Sequence, residues 1–66
     1  MKVYKEETPD GIVKNLTFHT DGGESLAELK QATKVWLTDK YPQMAWQEIF
    51  IRMTTLEANR ITINME

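Results

Sequence analysis

One long helical pattern, flanked on both sides by alternating segments, limits this chain to few architectures. Ser25-Leu26-Ala27-Glu28 has the spacing of a capping box, with Ser25 as the N-cap and Glu28 reaching back to it. Leu26, Leu29, Thr33, Trp36, Leu37 and Tyr41 then recur at three- and four-residue steps. At about 100° per residue they form one apolar stripe, with Glu28, Gln31, Val35 and Asp39 on the opposite, wet side. Pro42 ends the helix near Lys40 or Tyr41, because the residue before a proline avoids the helical region.

The flanking segments read as strands. Met1–Glu7 alternates weakly and predicts a short strand at or near a sheet edge. Thr8-Pro9-Asp10-Gly11 has tight-turn chemistry: Pro9 pre-sets φ at the first central position, and Gly11 accepts positive φ. Ile12–Thr20 follows as a second strand and completes a hairpin. Beyond the helix, Trp46–Thr54 is dense in strand formers, Thr55–Asn59 reads as a polar loop, and Arg60–Met65 alternates again. The expected fold is α+β in the order ββαββ. It has a four-stranded, mostly antiparallel sheet with one helix packed on one face. The expected core is Val3, Ile12, Leu16, Phe18, Leu26, Leu29, Trp36, Leu37, Ile49, Ile51, Ile61 and Ile63. The helix returns the chain, so the second and third strands should run the same way. They are adjacent in a right-handed crossover, or separated by the first strand in an all-antiparallel sheet.

With 66 residues the chain is read as a single domain, 1–66, too short for a multidomain enzyme or a buried dinucleotide site. A hydrophobic share of 41% and a charged share of 27% place it among globular proteins. No apolar run reaches the ~18 residues of a spanning helix, so no membrane partner is expected. No secretory leader pattern follows Met1, and a small domain without cysteine lacks the staples usual outside the cell. The cytoplasm is the expected location.

The residues that could carry chemistry are sparse. His19, the sole histidine, has Asp21 and Glu24 nearby, short of the three or four ligands a metal normally takes. Asp21-Gly22-Gly23-Glu24-Ser25 precedes a helix but lacks a phosphate loop's lysine, and its acids would repel a phosphate. Ser25 spends its hydroxyl on the cap, with no base placed to activate it. Glu6, Glu7, Asp10 and Glu48 read as a solvated acidic surface rather than a cleft of paired carboxylates. The expectation is therefore no enzyme, no metal and no small-molecule cofactor.

One helix can cover only one side of a sheet, so the other side is the expected contact surface. Tyr4, Val13, Thr17, His19, Phe50, Arg52, Thr62 and Asn64 are assigned to that outer face, with Trp46 at its margin. Aromatic rings beside arginine are the usual anchors of protein interfaces. Tyr4, Val13, Thr17, Trp46, Phe50, Arg52 and Thr62 are accordingly the predicted protein-binding residues, meeting a foreign protein or a second copy in a homodimer. The alternative is nucleic-acid binding through Lys30, Lys34, Arg52 and Arg60, with Phe50 as a stacking platform. A net charge of −2 weighs against it. In size, acidic balance, lack of cysteine and hairpin-helix-hairpin layout, the chain resembles the small accessory or inhibitor proteins of bacteriophages and prophages. That resemblance implies an inhibitor or regulator that acts by covering a surface.

Overall fold

The computed structural model describes residues 1–57 and 59–65, with Thr55 and Leu56 described by their backbone alone. The class is α+β: a four-stranded antiparallel sheet and two helices. In chain order the elements are β1 (Lys2–Glu7), β2 (Val13–His19), α1 (Leu26–Lys40), α2 (Trp46–Arg52), β3 (Met53–Glu57) and β4 (Arg60–Asn64). The order is thus ββααββ rather than ββαββ, and the second helix occupies most of the segment expected to be the third strand.

The first hairpin forms as its turn chemistry dictates. Gly11 N–H donates to the Thr8 carbonyl at 2.9 Å, and Gly11 sits at φ +84°, where a side chain would be strained. Ile12 is held in this turn, its N–H donating to Thr8 Oγ1 at 3.1 Å and its carbonyl accepting from Thr8 N–H at 2.9 Å. It therefore precedes β2 and stands 58% exposed instead of joining the core. The β1–β2 register shifts between Glu6 and Glu7, skipping Lys14, and Val13 packs against the core side. Val13 is for that reason not an outer-face residue.

The sheet order is β1-β2-β4-β3. β2 and β3 do run the same way, as the returning helix requires, but β4 lies between them; neither expected arrangement, adjacency or separation by the first strand, occurs. The inner rows of the sheet are Val3-Phe18-Ile61 and Lys5-Leu16-Ile63-Met53. Leu16, Phe18, Ile61 and Ile63 from this layer meet Leu29 and Leu37 of α1 and Ile49 of α2 in the buried core. Val3, Leu26 and Trp36 are half-buried around it, Trp36 edge-on to Phe18 at 5.3 Å.

α1 starts as its sequence dictates: Glu28 N–H donates to Ser25 Oγ at 3.2 Å, and Ser25 N–H donates to Glu28 Oε1 at 3.1 Å. Its end is at Lys40, with Tyr41 N–H donating to the Leu37 carbonyl before Pro42. α2 has only seven residues and an uncapped start at Ala45. It holds as a helix through the Glu48–Arg52 ion pair at 3.0 Å, four residues apart, and through the burial of Ile49 against the sheet. The helical period parts Ile49 from Ile51: a strand would put both inside, whereas Ile51 is 83% exposed. Of the polar loop expected over Thr55–Asn59, Thr55–Glu57 instead extend β3, and Ala58 lies outside the described residues.

Two substitutions probe this packing. Thr33 is fully buried on α1, and its hydroxyl has no hydrogen-bond partner among the described residues. Thr33→Val removes that orphan at almost constant shape and should raise the unfolding free energy by about 1 kcal/mol in a urea titration. Ile61→Ala, in the middle of the core, should lower it by about 2–5 kcal/mol.

Candidate functional site

The outer face of the sheet is a polar lattice. Tyr4, Thr17, Thr62 and Thr54 form one row across all four strands, and Lys2, His19, Arg60 and Glu57 form the next. Thr17 Oγ1 and Thr62 Oγ1 lie 3.4 Å apart, Asn15 Nδ2 donates to Glu6 Oε1 at 3.1 Å, and Arg60 pairs with Glu57 at 3.2 Å. The Tyr4 ring meets His19 edge-on at 5.7 Å. Although Arg60 Nε is buried without a hydrogen-bond partner among the described residues, a face this polar can stay wet without cover. Of the residues assigned to it, Tyr4, Thr17, His19, Thr62 and Asn64 are there, together with Arg60.

The rings expected beside them are elsewhere. Trp46, Phe50 and Arg52 all belong to α2, in the opposite layer. Trp46 and Phe50, one helical turn apart, pack edge to face with centroids 5.8 Å apart and remain 51% and 44% exposed. Lys34 of α1 sets its Nζ 5.6 Å from the Trp46 ring centroid, a cation–π contact. Ile51 adds exposed apolar surface on α2, and Val35 does so on α1. Arg52 turns to the other flank of α2, where it pairs with Glu48 and donates through NH1 to the Asn64 carbonyl at 3.2 Å. The two cations of the nucleic-acid alternative that lie outside α1, Arg52 and Arg60, therefore each face a carboxylate. Lys30 and Lys34 stand one turn apart on α1, and of the two Lys34 is the one that meets Trp46.

A depression of about 440 Å³ lies between the end of α1 and α2, lined among others by Tyr41, Pro42, Met44, Glu48 and Arg52. Its size suits a small ligand, but its central charges are spent on the Glu48–Arg52 pair. Among the described residues, no three His, Asp or Glu side chains gather as metal ligands. Asp21 and Glu24 face the terminal ammonium of Met1: Asp21 Oδ2 accepts its hydrogen bond, Glu24 Oε2 is 3.9 Å away, and Asp21 N–H donates to that Glu24 oxygen at 3.0 Å. They clasp the start of β1 to the loop ahead of α1. No helix among the described residues is long and apolar enough to cross a membrane. Searches against family models, curated proteins and solved structures find nothing that matches the chain.

The missed signals lay in residues 42–52. A Glu48–Arg52 pair at helical spacing and a Trp46–Phe50 pair at the same spacing both favour a second helix. The density of isoleucine and aromatic residues masked them.

The terminal clasp makes a pH prediction. The hydrogen bond to Asp21 raises the ammonium's pKa above its usual 8.0, and the same bond lowers that of Asp21 below its usual 3.8. The raised group stabilises the fold below its unfolded pKa and loses that effect as pH climbs through the folded one. The lowered group stabilises above its unfolded pKa and loses that effect as pH falls through the folded one. The clasp is therefore complete between about pH 4 and pH 8. Asp21→Asn should lower the melting temperature slightly in that window and flatten its fall on both sides, as read by circular dichroism against pH.

Proposed function

We propose that this chain is a non-enzymatic protein-interaction module that acts by occupying a partner's surface, as an inhibitor or regulator does. The surface we assign to that role is the ring-bearing corner of the helical layer, Trp46 and Phe50 with Ile51 and Lys34, in place of the outer sheet face. One observation carries the reading: Trp46 and Phe50 pack on each other, half in water, on a helix that buries a single residue, Ile49. Paired aromatics ordered by their own contact lose little side-chain freedom on binding, which is why such rings anchor interfaces.

Panning a random peptide library on the immobilised protein tests it. Selected peptides should lose at least about tenfold in affinity against Phe50→Asp and keep it against Thr17→Lys on the outer sheet face. A selection indifferent to Phe50→Asp, or one that yields no binder, would overturn the reading.

Self-association is a second reading, favoured by the unequal edges of the sheet. β1 carries Lys2, Lys5, Glu6 and Glu7, charges that discourage strand pairing, whereas the only charge on β3 is Glu57 at its end. Sedimentation velocity over a range of concentrations should show a dimer forming through β3, and Thr54→Lys should abolish it. A sedimentation coefficient that does not move with concentration removes this reading.

A further inference from the structure

We infer that the partner taken by this corner is acidic: a protein segment presenting apolar side chains together with Asp or Glu carboxylates. The inference rests on the reading of the corner as an interaction surface and names the chemistry that fits it.

Charge placement carries the argument. The chain is acidic as a whole, with net charge −2, yet its carboxylates are spent or turned away around Trp46. Glu28 closes the cap of α1, Asp39 lies beside Lys40 at 3.8 Å, and Glu48 is held by Arg52. By the helical period, Lys30 and Lys34 share one flank of α1 with Ala27, Gln31 and Thr38, whereas Glu28 and Asp39 fall on the other. On α2 the neighbours of Phe50 away from the core are Gln47 and Ile51. Lys5, Lys40, Arg52 and Arg60 each lie within 4.0 Å of a carboxylate. Lys30 and Lys34 have no such neighbour among the described residues, and Lys34 meets a ring instead. The result is two rings and an isoleucine exposed on α2, with the Lys34 ammonium at the Trp46 ring and Lys30 one turn earlier on the same flank of α1. Complementarity then calls for apolar side chains to cover the rings and carboxylates to meet the lysines.

The same geometry argues for a protein segment over a nucleic acid. A strand of nucleic acid needs several phosphate contacts and ring faces open for base stacking. Here two lysines stand in for a track, Arg52 and Arg60 are paired elsewhere, and Trp46 holds Lys34 against its face and Phe50 against its edge or face.

Two synthetic amphipathic helical peptides with one leucine pattern, bearing Glu or Lys at every polar position, provide the test with the full chain. An oligo-dT strand is the third probe. Binding is read from the Trp46 indole N–H in proton–nitrogen spectra. The Glu peptide should bind at least about tenfold more tightly than the Lys peptide at moderate salt. Lys30→Glu with Lys34→Glu should reverse that order, and Lys34→Gln, which keeps the stem without the charge, should narrow it if the double variant does not fold. Equal binding of both peptides through Trp46 would overturn the acidic preference while leaving the interaction surface intact. Preference for the Lys peptide, stronger binding of oligo-dT, or no response to the Glu peptide would each overturn the inference. In the last case the peptide library above decides separately whether the corner binds protein at all.

Discussion

The antiparallel pairing of β2 with β4 is the constraint from which the rest of the fold follows. Leu16 lies opposite Ile63 and Phe18 opposite Ile61, so two adjacent rows of large apolar side chains point to one side. That patch is continuous only because the two strands touch, and it supplies four of the seven fully buried apolar residues described. Everything else covers it. α1 brings Leu29 and Leu37, α2 brings Ile49, and the edge strands contribute half-buried Val3 and Met53. Had β1 come between β2 and β3, the segment Arg60–Asn64 would have been an edge strand, with Ile61 and Ile63 near solvent.

Placing β4 at the centre also explains why residues 46–52 form a helix. β3 needs only five residues, Met53–Glu57, to pair with β4. The chain leaving α1 at Tyr41 must reach the start of β3 and close the remaining side of the core on the way. A helical turn does both, since it advances only about 1.5 Å per residue and aims Ile49 down onto the sheet. A strand over the same residues would have run about twice as far and duplicated a position β3 already fills.

The first hairpin, its turn, the capped helix α1 and the alternation of β4 were legible in the sequence because each is specified by residues close in the chain. Ser25 and Glu28 make their cap within one turn, and Gly11 supplies the positive φ its own turn needs. Strand order and α2 depend on partners far along the chain. Ile49 and Ile51 look alike locally, and only the position of β4 decides that one is buried and the other wet. The same ambiguity displaces the candidate surface: Trp46, Phe50 and Arg52, expected on the outer sheet face, lie on α2 in the other layer. Lys34, assigned to the nucleic-acid alternative, proves to be the cation that Trp46 holds, while Arg52 is taken by Glu48.

The two layers therefore carry opposite kinds of exposed surface, for physical reasons that do not depend on function. A sheet face left without cover has to satisfy its side chains laterally, and threonine, asparagine and paired charges do this across neighbouring strands. A short helix that buries one residue against the sheet has no such lattice, and the rings flanking that contact stay about half exposed. Polar residues would serve solubility best at those positions. Trp46 and Phe50 occupy them instead, packed edge to face with Lys34 over the Trp46 ring. The buried core takes Ile49 from α2, with half-buried Tyr41, Met44 and Met53 packed against it, and neither ring belongs to that cluster. Exposed rings paired on one helix, with Lys34 over one of them, are what supports our proposal that a partner docks on the helical corner instead of the larger open sheet.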